Sequence, residues 1–450
     1  MDVLIMLGKF ILSLSLLIVL HECGYFFPAR WFQTRVEKFY LFFDPWFSLF
    51  KVKRGDTEYG IGWLPFGGYV KISGMIDESF DKEQMEGPAQ PWEFRSKKAW
   101  QRLIIMLGGV TINFVLGILV FGMIYFTWGE QFLPNENATH GIVALELGEE
   151  IGLQSGDKII SVGGQKLEKF ETSEVARRII TDDIDKITVE RDGRRVEVPV
   201  PEEFGKVITD YKNKDKVLFG IRVPTLVADI RVGYKDAKDN LKIGDRIISI
   251  DGQPTPYFDQ YSAAAQSKPN QKVQLGLLRS DDTTYVNVQL DSLGRVGFTA
   301  DMTFSNFFEI ENQEYGLIDG MAKGWSRSMS FYNDQFKAFG KMFSGELKAT
   351  DSLGGPIMIA TMFKGPDPSR WNWRHFWSLT AMLSLILAFM NLLPIPGLDG
   401  GHVMFLLYEV ITGRKPNEKI VEYATLAGFI LLILLMVFIM GNDIMRFFRN

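Results

Sequence analysis

Three residues whose side chains could hold a metal or move a proton stand out inside apolar stretches of this sequence. His21 and Glu22 are adjacent near the end of Ile18-Val-Leu-His-Glu-Cys-Gly-Tyr-Phe-Phe-Pro28, and Asp399 lies in Asn391-Leu-Leu-Pro-Ile-Pro-Gly-Leu-Asp-Gly-Gly-His402. Ionisable groups at membrane depth are expensive and seldom idle. His-Glu on a helix opens the pattern His-Glu-x-x-His, in which two imidazoles one turn apart hold Zn²⁺ and the glutamate activates the attacking water. Here the fifth position is Tyr25. By itself the pair also suits a polar fringe at a bilayer surface. The second stretch adds weight, because Asp399 sits among prolines and glycines that break a helix and are tolerated in a membrane only where protein or water satisfies the freed backbone.

The elements that must hold these residues are apolar blocks. Leu4 to Ala29, Leu103 to Gly129, Phe376 to Leu407 and Ala424 to Met440 are each long and apolar enough to be read as a span. Arg30, Arg35 and Lys38 follow the first, Arg95, Lys97, Lys98 and Arg102 precede the second, and Arg414, Lys415 and Lys419 join the last two. Positive residues mark cytoplasmic loops, so both termini and the region from about Glu130 to Arg370 are expected outside. No small-x-small cleavage site follows the first block, which sets aside a removable signal peptide.

Composition narrows the classes. A length of 450 residues with 46% hydrophobic and 13% aromatic residues is rich for a soluble chain; the net charge of −5 is mild and says little about partners, and with no Lys/Arg-rich run interleaved with aromatics no nucleic-acid partner is expected. No nucleotide partner is expected either. One cysteine, Cys23, excludes internal disulfides and a Cys-based zinc cluster, and any histidine metal site must draw on His21, His140, His375 and His402.

Between the first two blocks, Val36 to Ser73 is rich in aromatic residues with Gly and Pro punctuation, including Gly67-Gly-Tyr-Val70, and predicts β-hairpins lying on the membrane. Farther on, Gly152-Leu-Gln-Ser-Gly-Asp-Lys-Ile-Ile-Ser-Val-Gly-Gly-Gln165 returns as Asn240-Leu-Lys-Ile-Gly-Asp-Arg-Ile-Ile-Ser-Ile-Asp-Gly-Gln253, an internal repeat. Apolar residues from Ile318 to Leu347, mostly three or four apart, predict an amphipathic helix along the outer membrane face, with Lys323, Arg327, Lys337 and Lys341 turned to headgroups.

These motifs resemble the site-2 protease family of membrane-embedded zinc metalloproteases, specifically its RseP-type bacterial branch with two PDZ domains. The match lies at His21, Glu22, Leu398, Asp399 and Gly400, in Gly354-Gly-Pro-Ile357, and in Gly108-Gly-Val-Thr-Ile-Asn113, where the family's usual proline is Val110. It departs at Tyr25. Both repeats resemble the Gly-Asp-x-Ile core of PDZ domains, without an obvious carboxylate loop.

The resemblance implies a polytopic α-helical membrane protein of four spans, with a membrane-associated β-hairpin region and two extracytoplasmic PDZ-like α+β domains. The expected parts are 1–129 (two spans and the β region), 130–205 and 206–297 (the PDZ-like domains), 298–370 (amphipathic helix and linker) and 371–450 (the last two spans). It implies Zn²⁺ held by His21 and Asp399, with Tyr25 a third donor only as phenolate. Glu22 becomes the general base and Asn391 the oxyanion or substrate-steadying amide. Gly67, Gly68 and Tyr69 form a sheet edge that pairs with an unwound substrate segment. Asn113 either packs helices or positions substrate. The expected function is hydrolysis of a peptide bond within a single-span membrane protein, an anti-sigma factor or signal-peptide remnant, in regulated intramembrane proteolysis at the inner membrane. A catalytically inactive relative that binds such segments is the alternative, and a transporter is disfavoured because no inverted repeat is visible.

Overall fold

A computed structural model describes residues 2–75, 87–280, 282–348, 354–365 and 371–448. The expected domains 1–129, 206–297, 298–370 and 371–450 therefore each lie partly outside the described residues. Four helices are long and apolar enough to cross a membrane: Val3–Trp31, Ala99–Trp128, Trp373–Leu392 and Lys419–Met445. The first belongs to helix α1 (Asp2–Trp31) and the second is helix α2 (Ala99–Trp128), each of 30 residues. At a rise of about 1.5 Å per residue each is roughly 45 Å long, enough for a hydrocarbon layer of about 30 Å. The third expected span, Phe376 to Leu407, is not one helix. It stops at Leu392 and a new helix starts at Asp399, because Pro394 and Pro396 supply no N–H and Gly397 takes φ +97°.

The chain divides into two compact units. In the first, α1 and α2 cross where both carry glycine. A Cβ on Gly24 would lie 2.4 Å from the Gly108 carbonyl, so no larger residue permits this approach. Pro28 sits inside α1; having no N–H, it leaves the Gly24 carbonyl, four residues back, without its helical donor at this crossing. The helix Trp373–Leu392 joins through Ser13 to Thr380 at 2.9 Å and Ser384 to the Asn113 carbonyl at 2.7 Å.

The amphipathic helix runs Leu317–Ser344. Its first half does not merely lie on a surface. Gly320 and Gly324 fit against Gly122 of α2, Trp325 and Tyr332 reach Phe114, and the Tyr332 hydroxyl donates to the Leu385 carbonyl at 3.1 Å. A small-residue stripe thus lays this helix lengthwise along α2, a contact that hydrophobic periodicity could not reveal.

The aromatic region folds as β1 (Val36–Arg54) and β2 (Thr57–Ile72). Each strand bends and is used twice: Phe39 pairs with both Val70 and Tyr59, while Val52 also pairs with Tyr59. The result is a four-armed sheet with Ser48–Arg54 and Gly67–Ile72 at its edges, the two outer pairings antiparallel and the central one, Lys38–Leu41 with Glu58–Ile61, in parallel register. Phe42 and Trp46 take φ +68° and +74° at the bend, a left-handed backbone that bulky residues adopt only when the surroundings impose it.

The second unit holds both repeats, each with its own apolar core. The first core takes in Ile159, Val162, Ile187 and Val198, and the second Ile247, Ile250, Leu275 and Val288. The first core also buries Leu218 and Phe219, so it extends past the expected boundary at 205. The repeated aspartate does the same work twice. Asp157 accepts a two-pronged bond from Arg191, whose guanidinium also donates to the Gly152 carbonyl; Asp245 accepts the same from Arg279, which also donates to the Asn240 carbonyl. Lys337 and Lys341 bond to Asp182 and Asp183, so neither is turned to headgroups as expected.

Candidate metal and catalytic site

His21, Glu22 and Tyr25 all come from α1. His21 and Tyr25, four apart, share the face that meets α2, and a Cβ on Gly109 would lie 2.6 Å from His21 Cε1 and 2.8 Å from Tyr25 Cζ. Glycine there makes room for two rings at a helix crossing. From the other side comes the loop Leu393–Leu398, turned by hydrogen bonds from Ile395 N–H to the Leu393 carbonyl (2.7 Å) and from Leu398 N–H to the Ile395 carbonyl (3.0 Å). Gly400 lets it fold back, since a Cβ would meet the Leu393 carbonyl at 2.1 Å, and Gly428 of the last helix packs on the Pro396 carbonyl. The loop delivers Asp399 at the start of its helix, against His21.

The geometry is that of a closed cluster. His21 Nε2 lies 3.5 Å from Asp399 Oδ2. The Tyr25 hydroxyl donates to Asp399 Oδ2 and lies 2.8 Å from His21 Nε2. Behind the imidazole, Asn113 Nδ2 is 3.2 Å from His21 Nδ1, and the fully buried Asn113 leaves its own Oδ1 without a partner among the described residues. As drawn, the amide donates to Nδ1, Nε2–H donates to the phenol oxygen, and the phenol donates to the carboxylate. Turning the amide over relieves the orphaned oxygen: Oδ1 then accepts from Nδ1–H and the Nε2 lone pair faces Asp399. Asn113 is thus brought to the histidine, a contact that an asparagine in an apolar block does not announce.

Glu22 is 8% exposed and lies beside the sheet, where a Cβ on Gly68 would come within 3.6 Å of Glu22 Cγ and 2.6 Å of Ile18 Cγ2. Among the described residues no further strand pairs with the outer edge of Gly67–Ile72. Tyr69 donates to Asp44 at 2.9 Å and stacks on Tyr40, which donates to Glu58 at 2.7 Å. Burial and the Asp44 carboxylate push the Tyr69 phenol well above its ordinary value, so it stays a donor. Asn391 stands in the last turn of its helix, and among the described residues it makes no hydrogen bond to this cluster.

A tetrahedral zinc site with bonds of about 2.0–2.2 Å sets two ligand atoms roughly 3.3–3.5 Å apart. The separation of His21 Nε2 and Asp399 Oδ2 meets this. No third His, Cys, Asp or Glu joins them among the described residues. The donors present therefore fit Zn²⁺ as an imidazole and a carboxylate, with the phenol oxygen as the third atom in reach and an amide behind the imidazole to orient it.

The sequence model of peptidase family M50 matches residues 9–435. The regulator of sigma-E protease RseP of Escherichia coli K12 is 27% identical over 460 residues, covering 98% of this chain and 98% of its own. The protease RseP of Yersinia pestis is 26% identical over 465 residues, covering 99% and 100%. A Neisseria meningitidis protein named as a candidate zinc metalloprotease is 26% identical over 454 residues, covering 97% and 98%. Among solved structures, a PDZ domain of an SdrC-like protein from Listeria monocytogenes is 18% identical and covers 19% of this chain and 94% of its own, at a TM-score of 0.17 that bears no weight for the fold.

Proposed function

The chain belongs to peptidase family M50, the site-2 proteases, and on that premise we propose that it is an intramembrane zinc metalloprotease that hydrolyses a peptide bond in the transmembrane segment of a single-span protein. The observation that carries this reading is the approach of His21 to Asp399 at 3.5 Å, from helices far apart in the chain. His21, Asp399 and, as phenolate, Tyr25 hold the metal; Zn²⁺ bound there supplies Lewis acidity toward the scissile carbonyl and water. Asn113 fixes the imidazole tautomer through Nδ1. Glu22 takes the proton of the attacking water and returns it to the leaving amine. The edge Gly67–Tyr69, next to Glu22, adds the substrate as a further strand, which strips a helical peptide of its own hydrogen bonds and extends it. Asn391 offers an amide to the developing oxyanion. The two repeat units are PDZ-like domains outside the inner membrane that select or filter substrates, and the class of substrate is an anti-sigma factor or a signal-peptide remnant.

A second reading has its own observation. The Tyr25 hydroxyl is bonded to both metal donors at once, the arrangement expected of an inactive relative that binds segments without cutting them. Reconstituted full-length protein with a model single-span substrate separates the two. Cleavage that is lost in Glu22→Gln supports the enzyme; cleavage that appears only in Tyr25→His supports the inactive relative.

A further inference from the structure

At the end of α1 the chain makes a tight exit. Gln33 takes φ +56°, Thr34 N–H donates to the Ala29 carbonyl at 2.7 Å, and Arg35 N–H donates to the Trp92 carbonyl at 2.9 Å. Lys97 Nζ ties the same turn down through the Gln33 carbonyl at 3.2 Å. Arg30, Gln33, Thr34, Arg35, Asp56 and Trp92 line a cavity of about 490 Å³ there. Its walls come from three separate segments, so it is a built feature and not a gap within one loop.

Two of the charges in it have no partner among the described residues. The next arginines along, Arg95 and Arg102, are paired with Glu93 at 2.6 Å and Glu409 at 2.5 Å. Among the described residues, Arg30 and Arg35 have no carboxylate partner and no side-chain hydrogen bond. Thr34, 2% exposed, leaves its hydroxyl without a partner among the described residues at the same wall. Asp56 is the one carboxylate among the six residues that line the cavity. The level of the cavity is marked by exposed indoles at the end of α1, in the loop and at the start of α2: Trp31 is 79%, Trp92 47% and Trp100 48% exposed. Such aromatic residues sit at the headgroup layer of a bilayer.

We infer that this cavity binds the headgroup of a zwitterionic phospholipid, Arg30 and Arg35 taking the phosphate oxygens and Asp56 the primary ammonium of a phosphoethanolamine head. Planar guanidiniums match phosphate oxygens two at a time, and an unpaired carboxylate beside them favours a cationic tail over a second anion. The assignment depends on α1 crossing a membrane and not on the protease reading.

The test uses the delipidated full-length protein in detergent, titrated with phosphatidylethanolamine, phosphatidylcholine, phosphatidylglycerol or inorganic phosphate and followed by native mass spectrometry. Phosphatidylethanolamine is expected to bind most tightly, and Arg30→Gln/Arg35→Gln to weaken it by about a hundredfold, as the loss of two charge-assisted bonds implies. Asp56→Asn is expected to erase the preference over phosphatidylcholine, whose quaternary ammonium has no hydrogen to donate, while leaving binding itself in place. Unchanged lipid binding in the double Gln variant, with unaltered thermal unfolding as the check that it folds, overturns the proposal. So does displacement of the lipid by inorganic phosphate at equal concentration, which makes this a soluble-anion site.

Discussion

Replacing Tyr25 by histidine is the sharpest perturbation of the site, because it changes what the third donor must give up to bind metal. A phenol with an ordinary pKa of about 10 is three units from deprotonated at pH 7, which is about 4 kcal/mol or a thousandfold in apparent zinc affinity. The hydroxyl also donates to the Asp399 carboxylate, and a hydrogen bond to a charged group contributes roughly 1.5–3 kcal/mol that coordination must forgo. A neutral histidine with an ordinary pKa of about 6.5 forgoes neither at pH 7. Tyr25→His is therefore expected to hold zinc at least about a thousandfold more tightly at pH 7. The affinity of the unaltered chain should climb about tenfold per pH unit between pH 7 and 9 while that of the variant stays flat. Competition against a chelator of known affinity, with zinc counted by elemental analysis, measures both. Equal affinities with equal, flat pH dependence would refute the reasoning. Tyr25→Phe supplies the complementary check: zinc binding identical to the unaltered chain at pH 9 removes Tyr25 from the ligand set.

Other outcomes follow from the same geometry. Asp245→Asn should open the second repeat unit by about 3 kcal/mol, since it breaks a buried pair from one side, and amide exchange of residues 246–250 and 272–279 in the full chain would show it. Burial alone would raise the Asp245 carboxyl, but the Arg279 guanidinium and the Lys242 N–H outweigh this and hold it below the usual carboxylate range. Its contribution is therefore complete above the unfolded value of about 3.9 and lost as the pH falls through the lower folded value, so exchange protection of the unaltered unit should fall towards that of Asp245→Asn only in acid. Asp443→Ala should fray helix Pro356–Met362, because Gly355 at its N-cap has no side chain and Asp443 accepts from Gly355, Ile357 and Met358 N–H at 3.2, 3.1 and 3.3 Å. A loss of about 1–2 kcal/mol, the size of a missing cap, should appear as faster exchange there and nowhere in the second unit. Gly24→Val should part α1 from α2 and abolish zinc retention even with the ligands intact; normal zinc content in that variant would show that the crossing does not set the site.

How much of this was legible follows from which interactions are local. His21, Glu22 and Asp399 stand out as residue types, because a charge in an apolar run has few reasons to be there. The bent sheet was visible as hairpins, and the repeat as a repeat, although only the fold shows that each repeated aspartate receives an arginine from its own domain. The break before Asp399 was visible too, in Pro394, Pro396 and Gly397, but the length of the apolar run masked it. What stayed hidden is whatever depends on the partner across a gap. Gly355 looks like a turn residue, yet a Cβ there would sit 2.3 Å from Asp443 Oδ2: the glycine is small so that a carboxylate from the last helix can cap the next one. Asn113 is the stronger case. An amide in an apolar block admits any neighbour, and its orphaned oxygen becomes informative only once Nδ1 of His21 is found at the other end. The site is therefore specified in two layers of unequal visibility. The atoms that touch metal and substrate announce themselves by chemistry, whereas the glycines and amide that bring His21 to 3.5 Å from Asp399 do so only by what they exclude or orient, and a change in the second layer can silence the first without altering any residue of the motif.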